Sequence, residues 1–102
     1  MTAFSSKVFA IVRQIPKGKI TTYKQIATKL GNPKLTRAVG NALNKNPSLV
    51  EIPCHRVVKS NGFVGGYCLG TQKKIELLKK EGIEFDKKKS VILNFQSRIF
   101  IL

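Results

Sequence analysis

Residues 22–47 read TYKQIATKLGNPKLTRAVGNALNKNP, a pattern typical of two short helices joined by a tight turn. Thr22 and Gln25, three residues apart, fit a capping box at a helix start, and Gly31 suits the left-handed residue that ends a helix. After the Asn32-Pro33 break, apolar residues recur at helical spacing up to Asn46-Pro47. They are Leu35, Ala38, Val39, Ala42 and Leu43. We therefore predict a helix-turn-helix.

The other face of the second of these helices is polar and basic. It carries Lys34, Arg37, Asn41 and Lys45, with Gly40 beside them, where the protein backbone can come close to a ligand. Such a face suits contact with phosphates and bases. An ordinary solvated helix face has the same composition, so the pattern alone leaves both interpretations open.

Shorter elements surround this unit. Apolar residues Val8, Ile11, Val12 and Ile15 predict a first helix, which a turn at residues 16–19 ends. Residues 49–52 are expected to be extended, and residues 54–58 lead into a turn at Asn61-Gly62 and a loop at residues 65–67. A last helix is predicted from Thr71 to Gly82.

The predicted fold is a single domain that is mainly α with a short strand or loop element, similar to a winged helix-turn-helix. We assign it to residues 1–82 and treat residues 83–102 as a C-terminal tail of open structure, with a lysine run at residues 87–89. A chain of 102 residues, 42% of them hydrophobic, is close to the smallest size that folds around one core without disulfide bonds or a bound metal.

The net charge constrains the partner. With 19 Lys and Arg against 5 Asp and Glu, the formal charge is +14, which opposes compaction by self-repulsion and favours a polyanion as partner. Nucleic acid fits better than a membrane surface, although a merely soluble basic protein is the simple alternative. The most apolar stretch, residues 91–102, is too short and too polar for a transmembrane helix.

Two cysteines are too few for a disulfide framework, and no secretory segment is recognisable, which indicates a reducing compartment. Cys54 has His55 and Arg56 beside it, and a thiolate near a base or a positive charge is a good nucleophile. A lone cysteine is, however, more often a small buried apolar residue. Cys54, His55 and Cys68 lack the paired spacing of a zinc site, so no metal is predicted.

The hexapeptide Ile52-Pro53-Cys54-His55-Arg56-Val57 resembles the active-site motif of the O6-alkylguanine-DNA alkyltransferases, also called methylated-DNA-protein-cysteine methyltransferases. Further segments agree in order and spacing with the C-terminal domain of that family. They are residues 21–23, 31–33, 37–40, 46–47 and 65–67, and Leu77-Leu78 before Glu81-Gly82. The resemblance covers nearly everything from Phe4 to Gly82.

The resemblance implies a catalytic set. Cys54 would accept the alkyl group, His55 would act as its base through a bridging water, Glu81 would orient His55, and Asn46 would hold the reactive loop. Because a thioether is a poor leaving group, each molecule would react once, without a cofactor. Taken singly, Glu81 reads as a helix-end carboxylate and Asn46 as a helix stop.

The resemblance also implies a DNA-binding and substrate-binding set. Arg37 would enter the base stack where the flipped guanine was, Tyr23 would press on the phosphate, and Tyr67 would wall the pocket. The small residues Ala38, Gly40 and Ala42 suit the minor groove. The remaining members are Val57, Cys68, which stands where a serine is common, and Lys74, where the family has a pocket-side lysine.

The predicted function is therefore DNA repair: irreversible transfer of an alkyl group from O6-alkylguanine, with O4-alkylthymine as a further substrate, to Cys54. The expected partner is duplex DNA containing the lesion, the expected state is a monomer, and the expected location is the cytoplasm or nucleoid, or the nucleus of a eukaryote. The family usually carries another domain before this one. We expect a minimal version in which residues 99–102 cover apolar surface, and in which bulky Leu69 narrows the pocket.

Three rival functions remain. An alkyltransferase-like protein would bind the lesion and recruit other repair factors without transfer, but such proteins lack the cysteine that Cys54 provides here. A general chromosome-coating protein is favoured by the charge of +14 alone. A thiol hydrolase is disfavoured, since the sequence contains nothing that resembles an oxyanion-hole motif.

Overall fold

The computed structural model describes residues 2–49, 51–86 and 91–102, so the lysine run at 87–89 lies outside the described residues. The helices are α1 (Ala3–Val12), α2 (Tyr23–Lys29), α3 (Thr36–Asn44), α4 (Thr71–Lys80) and α5 (Phe95–Arg98). Single 3-10 turns lie at Pro33–Leu35 and Cys54–Arg56. Two strands, β1 (Thr21–Thr22) and β2 (Val57–Val58), pair in parallel. The mainly helical fold with a short strand element is as predicted.

The helix-turn-helix is formed by α2 and α3. The Thr22 hydroxyl accepts a hydrogen bond from the Gln25 N–H at 3.0 Å, which caps α2. The Gln25 side chain does not reach back to Thr22 but accepts from the Thr21 hydroxyl at 3.0 Å. Gly31 has a φ of +104°, which glycine adopts without a steric penalty. Both ends of α2 therefore follow from residues that are local in the sequence.

The core lies mainly beneath the three N-terminal helices. Apolar residues of α1, α2 and α3 pack together with Cys54 and Val57. On α3, Val39, Ala42 and Leu43 are buried, whereas the other two members of the predicted apolar stripe are half-buried. Ala42 is thus a core residue, and its predicted contact with the minor groove is wrong.

One predicted element is wrong. Residues 49–52 were expected to be extended, but Leu49, Glu51 and Ile52 lie in turns and a bend. The Ile52 N–H donates to the carbonyl of Ser48 at 3.0 Å, which closes the chain into a turn. The apolar residues suggested a strand, but the nearby cap from Asn46 favours the turn.

The described residues of the tail, 83–86 and 91–102, are folded against the rest of the chain. Bridges join Phe63 to Val91, Phe85 to Ile92 and Ile20 to Ile99. Ile92 is buried, and Ile99 and Leu102 pack on the core, as expected, whereas Ile101 is 86% exposed. The division at residue 82 stays a prediction. Among the described helices, none has the length and hydropathy needed to cross a bilayer.

Candidate active site and DNA-facing surface

Cys54, His55 and Arg56 form a 3-10 turn immediately before β2. The Cys54 N–H donates to the Ile52 carbonyl at 2.8 Å, so the chain turns sharply here. Cys54 and His55 are 5% and 7% exposed, and both therefore face the protein interior. In an extended chain they would have pointed to opposite faces of a strand.

Asn46 fixes the approach to this turn. Its Nδ2 donates to the Ile52 carbonyl at 2.8 Å, and its Oδ1 accepts from the Ser48 N–H at 2.8 Å. Because Asn46 follows α3, it connects the end of that helix to the segment just before Cys54. Asn46 is thus bonded to the reactive segment, and the loop-holding role that the resemblance implies stays a prediction.

Glu81 links the two residues that follow Cys54. Its Oε2 lies 3.0 Å from His55 Nε2, and its two oxygens accept from Arg56 Nε at 2.9 Å and Nη2 at 2.6 Å. Arg56 Nη1 also donates to the Ile15 carbonyl at 2.8 Å. The paired guanidinium and carboxylate have the geometry of a strong, directional interaction. Arg56 is thus a site residue whose contact with Glu81 the sequence did not predict.

These contacts determine which nitrogen of His55 carries the proton. An ionised carboxylate only accepts hydrogen bonds, so neutral His55 carries its proton on Nε2, facing Glu81. Nδ1 then has a free lone pair. This atom is buried and has no hydrogen-bond partner among the described residues. It is the atom that can accept a proton.

The charges of the pair follow from burial and hydrogen bonding. Burial favours the neutral acid and would raise the pKa of Glu81, but hydrogen bonds from Arg56 and His55 outweigh it and lower that pKa. Burial lowers the pKa of His55, although the Glu81 carboxylate partly opposes the shift. At neutral pH the pair is therefore an ionised Glu81 and a neutral His55.

The thiol of Cys54 is not strongly acidic in this state. Burial raises its pKa, and the nearby Cys68 adds to the rise, whereas the Asn46 side chain and the charge of Lys74 oppose it. A thiol with a raised pKa is mostly protonated at neutral pH. Reaction at Cys54 therefore needs a base to remove the proton.

Lys74 is fully buried beside the same turn. Its Nζ donates to the carbonyls of Val57 at 2.5 Å and Gly66 at 3.0 Å, and to the Tyr23 hydroxyl at 3.4 Å. Burial lowers the pKa of Lys74 to about 7, while burial raises that of Tyr23 to about 12. Val57 itself is fully buried, so its side chain has no exposed surface for contact with DNA.

A small cavity of about 10 Å³ lies beside Cys54, which is room for roughly one water molecule. Its lining consists of Tyr23, Gly40, Leu43, Asn44, Cys54, Gly66, Tyr67 and Cys68. Five of these residues belong to the predicted site. Leu69 is not among them and is 57% exposed, so it does not narrow this cavity, and Cys68 lies on the wall instead. The narrowing of the substrate pocket by Leu69 stays a prediction.

An open cleft of about 550 Å³ lies next to this cavity, between α3 and the loop at residues 59–66. Tyr23, Gly40 and Gly66 line both spaces. Arg37 is exposed at the cleft, and Lys24 and Lys59 add positive charge to it. The surface beside Cys54 is therefore concave, basic and contiguous with the helix-turn-helix.

Comparison with known proteins agrees with this arrangement. The family model described as the DNA binding domain of 6-O-methylguanine DNA methyltransferase matches residues 3–83. Methylated-DNA-protein-cysteine methyltransferases of Methanosarcina acetivorans and Saccharolobus solfataricus are 47% and 53% identical over 81 residues. These alignments cover 79% of this chain and 52% of each relative, so the chain spans about half the length of the curated relatives it matches.

Solved structures show the same fold at two lengths. Schizosaccharomyces pombe Atl1, in complex with damaged DNA containing O6-carboxymethylguanine, has a TM-score of 0.83 and 31% identity, over 98% of this chain and 96% of that one. Mycobacterium tuberculosis OGT in complex with DNA has a TM-score of 0.77 and 38% identity, over 80% of this chain and 50% of that one. Because the family model matches residues 3–83, which are most of the chain, the chain belongs to the family of the 6-O-methylguanine DNA methyltransferase DNA-binding domain.

Proposed function

We propose that the chain repairs O6-alkylguanine in duplex DNA by moving the alkyl group onto Cys54. One observation carries this proposal: a buried thiol lies in the same turn as a histidine whose proton-accepting nitrogen is free, and Glu81 holds the opposite nitrogen of that histidine. Buried histidine bases oriented by a carboxylate are a recurrent way to activate a nucleophile.

The chemistry follows from these positions. Nδ1 of His55 takes the Cys54 proton through a bridging water, while Glu81 stabilises the imidazolium that forms. The sulfur attacks the alkyl carbon, a carbon–sulfur bond forms, and the carbon–oxygen bond breaks. The electron pair leaves with O6, and a proton returns to the guanine, so the products are guanine and a thioether on Cys54. The thioether has no internal nucleophile to remove it, which makes the reaction a single turnover.

Access to Cys54 requires extrusion of the base. The cavity beside the thiol is only about 10 Å³, far smaller than a guanine, so the loop that carries Gly66 and Tyr67 must move outward when the nucleotide enters. Lys74 and Tyr23 hold the Gly66 carbonyl in the closed state. Arg37 is exposed on α3 and lines the open cleft, and in the proposed reaction it fills the space that the base leaves in the stack.

The bound DNA would lie across the open cleft. Its basic residues, with the formal net charge of +14, supply the phosphate contacts that give sequence-independent affinity. The structures of S. pombe Atl1 and M. tuberculosis OGT were both solved with DNA, which supports a DNA-bound role for this fold.

A second candidate is a lesion-binding protein that does not transfer the group. It is favoured by the match to S. pombe Atl1, whose TM-score of 0.83 exceeds the 0.77 of M. tuberculosis OGT. The presence of Cys54 together with His55 and Glu81 argues for transfer. The bound lesion would be the same in both cases, so binding alone does not separate them.

The deciding experiment measures the intact and peptide masses after incubation with a duplex that contains one O6-methylguanine. Transfer predicts a gain of one methyl group on the Cys54 peptide, no gain in Cys54→Ala, and an unchanged gain in the matched control Cys68→Ser. Tight binding to the lesion with unchanged mass would favour the second candidate. Unchanged mass together with equal affinity for plain and alkylated duplex would contradict both.

A further inference from the structure

The C-terminal tail is hydrogen-bonded to Ile20, the residue that directly precedes β1. The Ile20 N–H donates to the Arg98 carbonyl at 2.9 Å, and the Phe100 N–H donates to the Ile20 carbonyl at 2.8 Å. Ile20 directly precedes β1, whose partner β2 directly follows the Cys54–Arg56 turn. The tail thus lies two backbone pairings away from the reactive turn, although it is outside the residues that the family model matches.

The Arg98 side chain joins two other turns. Its Nη2 donates to the Gly82 carbonyl at 3.1 Å, and its Nη1 donates to the Gly18 carbonyl at 3.4 Å. Gly82, with a φ of +90°, follows Glu81 at the end of α4. A cation at a helix C-terminus is stabilising because the last carbonyls carry partial negative charge.

These two turns meet at Glu81. A Cβ added to Gly18 would lie 3.4 Å from the Glu81 carbonyl, so the turn after α1 touches the Glu81 backbone. The same turn supplies the Ile15 carbonyl that accepts from Arg56. Arg98 therefore closes a ring of contacts around the Arg56–Glu81 pair, and Glu81 in turn holds His55.

From this geometry we infer that Arg98 is a positioning residue, which fixes the turn after α4 so that the Glu81 carboxylate stays within hydrogen-bond distance of His55. Residues 91–102 of the tail then help to position the catalytic groups. The effect on transfer rests on the proposed function, but the effect on His55 does not. A displacement of a catalytic group by about 1 Å can lower a rate about a hundredfold, so a partial displacement suffices for a measurable loss.

The test compares Arg98→Met, which removes both donated bonds, with Arg98→Lys, which keeps the charge and one donor. Arg13→Met is the matched control: it removes the same charge, and the Arg13 side chain is exposed and makes no hydrogen bond or ion pair with another described residue. Because the chain has one histidine, the imidazole resonances in an NMR titration are those of His55. The second measurement is the single-turnover rate of methyl transfer from an O6-methylguanine duplex.

We expect Arg98→Met to lower the pKa of His55 below that of the wild type, because the Glu81 carboxylate that raises it moves away. The transfer rate of Arg98→Met falls about tenfold below that of the wild type. The rate of Arg98→Lys lies between those two, and the rate of Arg13→Met equals that of the wild type. A His55 pKa in Arg98→Met equal to that in Arg13→Met overturns the inference. If Arg98→Met does not fold, the same comparison is made with Arg98→Lys. If the wild type transfers no methyl group, the proposed function fails, and the titration still decides the role of Arg98.

Discussion

Nε2 of His55 lies 3.0 Å from Oε2 of Glu81, a residue 26 positions further along the chain. The contact brings the first residue after the thiol together with the residue that caps α4. It also fixes the tautomer of His55, because the carboxylate can only accept. The direction of proton transfer in the proposed reaction therefore depends on one long-range contact.

The first prediction concerns Glu81→Gln. The amide keeps the shape of the side chain but removes the charge that stabilises the imidazolium, so the transfer rate at neutral pH should fall about a hundredfold or more. Stability should fall by about 2 kcal/mol, since the bidentate bond from Arg56 loses its charge. Glu76→Gln, at an exposed position of the same helix, is the control. Single-turnover kinetics and urea unfolding measure the two effects, and equal rates for both variants would refute the role of Glu81.

The second prediction concerns the pH dependence of transfer. Burial lowers the pKa of His55 below its ordinary value of 6.5, so the neutral base persists into mildly acidic solution. Burial raises the pKa of Cys54 above 9.0, so the thiol is protonated over the same range and depends on His55. The rate should be level near neutrality and should fall with a midpoint below pH 6.5. A midpoint above pH 6.5 would contradict a neutral His55 base.

The local elements of this fold were predictable because adjacent residues encode them. Thr22 caps the start of α2 and Gly31 ends the helix, and both residues lie directly beside the helix in the sequence. The 49–52 turn was missed because its apolar side chains resemble a strand, whereas its hydrogen bonds come from Asn46 and Ser48. Side-chain pattern and backbone bonding conflicted there, and the backbone bonding decided the structure.

The site was predictable only in part. Cys54 and His55 stand together in the sequence, but no periodicity links them to Glu81, and that residue was identified through the family resemblance. Arg56 was visible as a neighbouring charge, yet its bidentate contact with Glu81 depends on how α4 packs. Arg98 had no signal at all, because its partners are backbone carbonyls, which every residue has.

The third prediction concerns stability and Lys74. Burial lowers the pKa of Lys74 to about 7 from 10.5, so between these values the unfolded chain binds more protons than the folded protein. Stability must therefore rise with pH in that window, by about 2 kcal/mol between pH 7 and 9 from this residue alone. Above pH 9 the raised pKa of Cys54 acts in the opposite direction.

The check is urea unfolding at pH 7 and pH 9 for the wild type and for Lys74→Met, which keeps the aliphatic stem without the amine. The increase should be smaller in Lys74→Met by about the contribution of Lys74. Lys73→Met, at an exposed neighbouring position, should behave as the wild type does. The same increase in all three proteins would mean that Lys74 stays charged when buried.

The last prediction separates base extrusion from simple phosphate binding. Arg37 and Lys34 are both exposed, and the substitution of either by alanine removes one positive charge from the helix-turn-helix that we propose contacts DNA. If Arg37 fills the stack behind the flipped guanine, Arg37→Ala should slow transfer at saturating DNA by about tenfold, because flipping costs a few kcal/mol that its contact helps to offset. Lys34→Ala should instead weaken binding to plain and alkylated duplex alike and reduce the salt dependence of affinity, leaving the saturated rate unchanged.

Because both side chains are exposed, neither change should alter stability by more than about 0.5 kcal/mol. Saturated single-turnover rates and salt-dependent binding curves on the same duplex measure the difference, and an Arg37→Ala variant that loses affinity only would place Arg37 among the phosphate contacts.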